Sequence, residues 1–514
     1  MSLPEIRPTN SPTWSNRHNT FVQPINNLFD LINGRTADGY ADYNAMTDAI
    51  GTFLGRAIAE NRTVRALGGG WSFSKVVANN GWILDTKQLN MAFPIRNAQS
   101  LSPNYPRTPD KLLFAQCGNS MRELNAWLMA NKRSLKTSGA SNGQTIVGCF
   151  STGTHGSAID FGSVQDYIVG IHIIVGPGKH FYLERRSYPV VSDVFIQKFR
   201  TKLVADDDLF NAALVSFGAF GFIHGVMIET EDIYLLECYR KKIPIDNSFK
   251  QIMKTLDFTA ANFPPNGNER PFHFQAVIDQ YNLAGGAYAT IMYKRPFTEN
   301  YQPPVVDLNK AGPGDDLPAV FGIITDILPG LTSLIVSKMV KQAYALYEGN
   351  KGTTGEIFTY NNIRGKVLST AIGIPIDRVL EVNDMLIALN GTAGPFTGIF
   401  SYRYVKKSAA TLAFTKFDPT CILELDGVVS ATTQNFYTAV WNELDARNIP
   451  YTFHWGKIHN LSPARTKKLF GAAMDKWIEQ RNRLMPVDSM KVFNTQSLID
   501  CGLDKIMPAV VRVS

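Results

Sequence analysis

Three short stretches of this chain concentrate residues able to do chemistry. The segment His454-Trp455-Gly456-Lys457-Ile458-His459-Asn460 brings two of the eight histidines and a lysine within six residues of one another. A lysine there can stabilise developing negative charge, and a histidine can move a proton near neutral pH. Zinc would need further ligands, and no neighbouring cysteine or carboxylate pair supplies them, so no metal site is expected. Satisfied structural histidines have the same local sequence. Arg403, in Phe400-Ser401-Tyr402-Arg403-Tyr404, would be costly to bury without an anionic or polar partner; an exposed strand edge is the alternative.

The other two stretches are built from glycine and hydroxyl residues. Gly68-Gly69-Gly70-Trp71-Ser72-Phe73-Ser74 follows the apolar run Val64-Arg65-Ala66-Leu67. Glycines at a strand end let successive backbone N–H groups converge on an anion such as a pyrophosphate, although an ordinary tight turn uses the same residues. The pattern is neither G-x-G-x-x-G nor G-x-x-x-x-G-K-[ST], which removes support for a Rossmann or P-loop site. Residues 137 to 157 (TSGASNGQTIVGCFSTGTHGS) are dominated by small and hydroxyl side chains that cannot build a core and can wrap a large polar ligand; a long surface loop is the alternative.

The elements that must position these residues mix helices and strands without a strict βαβα alternation, which predicts an α+β fold. Helical spacing over about 40–60 leads into the strand at 64–67, and further strands are expected at 82–85, 111–117, 167–175 and 180–184, the last two joined by Gly176-Pro177-Gly178-Lys179. Ser120 with Glu123 forms a capping box, and Asp206 to Asp208 suit a helix N-terminus. From about 246 the texture becomes aromatic-rich β, with strands expected at 272–277, 288–293, 398–405 and 421–429 and helices at 432–447 and 463–483. The expected domains are residues 1–245, a second unit over 246–450, and a segment 451–514 that returns to complete the first.

The chain has 514 residues, long enough for two or three domains, and its 51 basic and 44 acidic residues leave a net charge of only +7. With no run of five or six like charges, nucleic acid is not an expected partner. Five scattered cysteines without C-x-x-C suggest reduced thiols in a cytoplasmic protein. The most apolar stretch, Leu317 to Val340, is interrupted by Asp326, Pro329 and Gly330, which fits buried or lid-like helices and not a membrane span.

Taken in order, these segments resemble the FAD-linked oxidases of the vanillyl-alcohol oxidase and para-cresol methylhydroxylase (PCMH) type, and among them the aldonolactone and alditol oxidases. Trp14-Ser15-Asn16 resembles their opening W-S-x, Leu67 to Ser74 their pyrophosphate loop, Ser138 to Ser157 their flavin-embracing segment, Phe217 to Ile223 their adenosine-contacting turn, His454 to Asn460 their H-W-G-K-x-H-N, and Arg481 to Asn494 their closing motif. The resemblance implies a PCMH-type α+β FAD-binding domain and an α+β cap, or substrate, domain on an antiparallel sheet. It implies FAD contacts from Leu67, Gly68, Gly69, Gly70, Trp71, Ser72 and Phe73, from Ser138, Gly139, Ala140, Ser141, Thr145, Val147, Gly148, Thr152, Thr154, His155 and Gly156, and from Gly221, Ile223 and Lys457. Catalysis would fall to Lys457 and Arg403 as cations beside the substrate oxygen, Ser157 as a substrate-facing serine and His459 for proton transfer. The reaction implied is oxidation of a CH–OH group of a small molecule, with dioxygen as acceptor; the alternatives are a flavin dehydrogenase using a non-oxygen acceptor, a biosynthetic oxidase acting on a hydrophobic natural-product or steroid-like substrate, and a non-enzymatic binding protein on the same scaffold.

Two departures carry information. Many relatives have histidine, bonded to the flavin, where this chain has Trp71; indole has no comparable nucleophilic nitrogen, so FAD is expected to be held non-covalently. Cys149 is out of step with the second tether of bicovalent relatives and reads as a structural thiol. Relatives also carry E-x-R where this chain has Ser401-Tyr402-Arg403, and Glu424, inward on the next strand if alternation holds, is the candidate replacement carboxylate.

Overall fold

The computed structural model describes residues 2–259, 269–305, 329–359, 367–507 and 512–513. The N-terminal unit begins with a four-stranded sheet in which Val64–Leu67 and Asn27–Ile32 both run parallel to Trp82–Asp85, the central partner. A six-stranded sheet follows, ordered Lys202–Ala205, Lys179–Glu184, Ile168–Gly176, Phe222–Glu229, Leu112–Gln116 and Ala92–Pro94. Helix Gly39–Ala59 buries Met46, Ile50, Phe53, Leu54 and Ala57, whose i, i+3, i+4 spacing forms one apolar stripe. Asp38 caps that helix by accepting from the N–H groups of Tyr40 and Ala41, a contribution of about 1 kcal/mol. The capping box of Ser120 and Glu123 and the cap of Asp206 on helix Asp207–Leu214 both form.

The second unit is an antiparallel eight-stranded sheet ordered Tyr347–Gly352, Tyr234–Ile243, Ala287–Pro296, His273–Ile278, Gly398–Val405, Thr420–Val428, Val367–Pro375 and Thr452–Phe453. The boundary expected at 245 is therefore displaced: Tyr234–Ile243 already pairs with Ala287–Pro296, and the first sheet ends with Phe222–Glu229. The two strands are separated by only a short stretch, in which Glu231–Asp232 pairs with Arg133–Ser134, and both are rich in β-formers, so their composition does not mark the change of sheet. Register matters more than order here. Ser401 lies opposite Glu424, Gln275 opposite Arg403 and Ser369 opposite Asp426, which puts these six polar residues on one face.

The C-terminal segment returns to the first unit. Helices Pro463–Phe470 and Ala472–Leu484 stand where one helix was expected, with Gly471 between them. Trp477 donates to the Val215 carbonyl at 3.1 Å, Arg481 to that of Ala219 at 2.8 Å, and Arg483 pairs with Asp206 at 3.0 Å. Residues 306–328, which include the linker after 305 and the first part of the apolar stretch 317–340, lie outside the described residues; helix Thr332–Ala343 covers the second part and buries Val336, Val340 and Ala343. Among the described residues no helix is long and apolar enough to cross a membrane.

Candidate active site

Strand Val64–Leu67 delivers the loop Gly68–Ser74 to the wall of a cavity that is also lined by the second glycine segment, the turn at Phe217 and Gly218, and residues of the cap sheet and of 454–457. The loop is held from both ends of the chain. Arg17 N–H donates to the Gly70 carbonyl at 2.8 Å and the Asn16 side chain to that of Ser72 at 2.9 Å. Phe73 N–H donates to the Gly456 carbonyl at 2.7 Å, and the Ser74 hydroxyl to that of Trp455 at 2.6 Å. Among the described residues, the N–H groups of Gly68 to Ser72 and of Gly139 to Ser141 donate to no protein acceptor. Unpaired amides beside a cavity are expensive unless something polar binds there.

Gly70 has a φ of +69°, a conformation that side chains disfavour. At Gly69 the constraint is space: an added Cβ would lie 2.6 Å from the Gly143 carbonyl oxygen and 2.8 Å from Trp71 Cδ1. This loop thus touches the second glycine segment directly. The segment 137–157 is not one extended wrap. Thr145 accepts from the Gly148 N–H and starts helix Ile146–Thr152, with Ile146, Cys149 and Phe150 buried. Three apolar residues at helical spacing among many small ones were the local signal for it.

At one end of the cavity, the cap sheet and the segment 454–457 supply a compact ionic cluster. Glu424 is its centre: Oε2 lies 3.2 Å from Arg403 Nε, and Oε1 lies 3.8 Å from His155 Nε2 and 4.0 Å from Lys457 Nζ. Lys457 donates to the Ser369 hydroxyl at 2.7 Å and sits 3.9 Å from Asp426. Burial pushes the Glu424 carboxyl up, but Arg403 and then Lys457 outweigh it and hold the group below its ordinary value. Asp426 goes the other way: burial raises it, and Lys457 does not compensate. Burial, opposed by Glu424, lowers His155 to about 4, and His454 is lowered well below its usual value by burial and then His155. Both imidazoles are neutral at pH 7. The Gly156 carbonyl, 3.0 Å from His155 Nδ1, can only accept, so Nδ1 carries the proton and Nε2 presents a lone pair. His454 Nδ1 accepts from the Gly456 N–H at 2.9 Å, leaving its proton on Nε2.

Most of the residues singled out from sequence line this one cavity: Gly68 to Phe73, Gly139 to Ser141, Thr145, Val147, Gly148, Thr152, Thr154, His155, Gly221, Ile223, Arg403 and Lys457. Leu67, Ser138 and Gly156 stand behind the wall. Ser157 does not face the cavity. Its hydroxyl donates to the Phe274 carbonyl and accepts from the Tyr404 N–H at 2.9 Å, which pins the glycine segment to the cap sheet. His459 is also away from the lining, its Nδ1 accepting from the Leu461 N–H at 3.3 Å, because the turn at Gly456 sends Lys457 inward and His459 onto Phe453 and Trp455. Sequence reasoning passed over Arg65 and His18, both in the lining; Gln144, Phe217 and Gly218, which lie in segments it had singled out, line the cavity too. A charge inside the apolar run Val64 to Leu67 was the signal available for Arg65.

Residues 45–183 match the family described as "FAD binding domain". The chain carries an FAD-binding domain. The loop Gly68–Ser74, the glycine segment and helix Ile146–Thr152 all belong to it. Among curated proteins the chain is 25% identical over 210 residues to D-arabinono-1,4-lactone oxidase of Debaryomyces hansenii, covering 40% of this chain and 34% of that protein. It is 23% identical over 228 residues to L-gulono-1,4-lactone dehydrogenase of Mycobacterium tuberculosis, covering 44% and 43%. The matched part thus spans less than half the length of either relative. Among solved structures, cholesterol oxidase of Brevibacterium sterolicum superposes with a TM-score of 0.67 over 97% of both chains at 12% identity, a likeness of fold. The fold is that of a two-domain FAD-binding oxidase, its second unit built on an antiparallel sheet.

Proposed function

We propose that this chain is an FAD-dependent oxidoreductase that oxidises a CH–OH group of a small organic substrate, holding FAD non-covalently and passing electrons to dioxygen. The observation that carries this reading is the placement of one buried, ionised carboxylate, Glu424, among Arg403, Lys457 and a neutral His155 at the end of the FAD-binding domain's cavity. The residues lining the cavity fit FAD: the unpaired amides of two glycine loops suit a pyrophosphate.

FAD supplies the hydride acceptor when bound. The protein's part is to orient the alcohol and manage its proton and charge. Glu424 Oε2 has no hydrogen-bond partner, and Oε1 is too far from its neighbours to accept, so the carboxylate retains capacity for a substrate hydroxyl proton. Arg403 and Lys457 then hold the oxygen from which that proton leaves, and the neutral His155 gives Glu424 a polar neighbour that does not compete as a cation. The carboxylate sits on the strand next to its expected place, directly opposite Ser401, so one cross-strand step conserves its position.

Trp71, whose indole offers no nucleophilic nitrogen to the flavin, and the thiol chemistry of Cys149 support non-covalent binding. The indole packs so tightly on Gly143 that a Cβ there would meet Cζ2 at 2.7 Å. The Cys149 thiol, pushed up to about 12 by burial, is not a thiolate at neutral pH. The aldonolactone relatives and the steroid oxidase fold keep both sugar-derived and bulky hydrophobic alcohols as candidate substrates, and the relatives' names divide between oxidase and dehydrogenase.

The purified protein should be yellow, should release all of its flavin into the supernatant on acid precipitation, and should bleach anaerobically with a panel of secondary and primary alcohols. Oxygen uptake exceeding dye reduction on the bleaching substrate supports the oxidase reading. A colourless protein that neither retains nor rebinds FAD would sink it. Lys457→Met should slow flavin reduction by roughly 10²–10³-fold, as for removal of one charge-stabilising donor, with FAD occupancy intact. Loss of FAD binding in that variant would make the lysine a cofactor ligand only.

A further inference from the structure

One buried charge in the FAD-binding domain has no role in the reaction described above. Arg65 is 1% exposed, in the middle of strand Val64–Leu67. Its Nε and Nη2 both donate to the Val76 carbonyl, at 3.0 and 2.7 Å, a fork that fixes the guanidinium plane. Nη1 has no partner. A second buried guanidinium, Arg481, lies close enough for Arg65 to depress it, after burial, to about 9. Arg481 is bound only to the carbonyls of Ala219 and Met490, and its Nη1 is likewise unpartnered. Among the described residues neither arginine has a carboxylate within ion-pair distance. Asp504 offsets part of the cost at Arg481, but burial acts on Arg65 with no anion opposing it, and a buried cation kept without a counter-charge suits negative charge supplied from elsewhere.

The place where that charge enters is the cavity. Arg65 belongs to its lining together with Val76, Thr86, Cys117 and Gly218, and an added Cβ on Gly218 would stand 3.6 Å from Nη1. Glu424, Arg403 and Lys457 line the same cavity, as do Gly68 to Ser72 with their unpaired amides, and Arg65 sits on the strand that feeds that loop. A planar guanidinium with one edge fixed and a free N–H facing a cavity matches a phosphate better than an ammonium would.

We propose that Arg65 is an anion subsite of this cavity, its Nη1 donating to the diphosphate-bearing adenylate half of the dinucleotide. This rests on the FAD reading above and adds to it a residue that selects the whole dinucleotide over the flavin mononucleotide.

The test is a titration of apoprotein, prepared by removing the flavin, with FAD and separately with ADP, in wild type, Arg65→Met and Arg65→Lys. Wild type should bind both, with ADP displaced by FAD and weakened by added salt. Arg65→Met should weaken FAD and ADP by the same factor, at least tenfold. Unchanged FAD affinity in that variant would overturn the proposal, as would weakened FAD with unchanged ADP, which would move the residue's action to the flavin end. If Arg65→Met fails to fold, Arg65→Lys decides: it keeps the charge but gives up the fork on Val76, and should retain ADP binding within about tenfold of wild type. A folded Arg65→Lys protein that binds FAD as tightly as wild type but shows no ADP binding would refute the subsite. Wild-type apoprotein that binds neither FAD nor ADP would instead refute the flavoprotein reading itself.

Discussion

Glu424→Gln is expected to slow flavin reduction by roughly 10²–10⁴-fold, the range for a proton acceptor acting in the transition state. The substitution keeps the shape of the side chain and removes the one negative charge in contact with Arg403, Lys457 and His155. Two costs follow and can be separated. Leaving buried cations unpaired lowers stability, by about 3–5 kcal/mol for a broken buried pair, and would show as a fall in Tm. Losing the acceptor lowers the reduction rate of those molecules that still hold FAD, measured by anaerobic stopped flow on the flavin-loaded fraction. A full-speed reduction in that fraction would remove Glu424 from the chemistry. The pH dependence of wild type gives an independent check. Because Arg403 and Lys457 outweigh burial and hold the carboxyl below its ordinary 4.5, Glu424 is ionised throughout the neutral range. Its folded-state value is depressed, so both its stabilising effect and its capacity to accept a proton are present above about 4.5 and are lost only as pH falls through a lower value. A loss of reduction rate centred near pH 6 to 7 would point to a different acceptor.

Gly69→Val is expected to leave the protein without bound FAD, with an affinity weakened by more than 100-fold, or roughly 2.7 kcal/mol. The reason is contact between loops. The new Cβ would lie 2.6 Å from the Gly143 carbonyl oxygen and 2.8 Å from Trp71 Cδ1, and it would touch Gln144 Cα at 3.1 Å. Most of these neighbours are backbone or a wedged indole and cannot swing aside, so the two glycine loops must separate and their unpaired amides no longer converge. Flavin absorbance of the purified variant and an FAD titration of its apoprotein check this. A flavin-replete variant would show that the loops open without loss and that the anion site lies elsewhere.

Much of the scaffold was legible because its signals are local. The strand and glycine loop at 64–74, the capping box at Ser120 and Glu123, the hairpin turn after Ile168–Gly176 and the cap-sheet strands with Arg403 and Glu424 depend on neighbours a few residues away. Helix Ile146–Thr152 was obscured because its apolar residues are outnumbered by small ones, and the hand-over from one sheet to the other near residue 230 was obscured because the strands on both sides have the same composition.

The roles of individual site residues divide along the same line. By itself the sequence picked out the segments that come together around one cavity, since glycines, hydroxyls and a Lys-His cluster advertise their chemistry wherever they are placed. Only the tertiary structure decided that Ser157 spends its hydroxyl on two backbone groups, that His459 turns away, that Arg65 reaches the cavity, and that Glu424 stands opposite Ser401 as the carboxylate of the site. Each of these depends on strand register, on the turn a backbone takes, or on a partner far away in the chain, and such long-range geometry leaves no mark in the residues immediately around it.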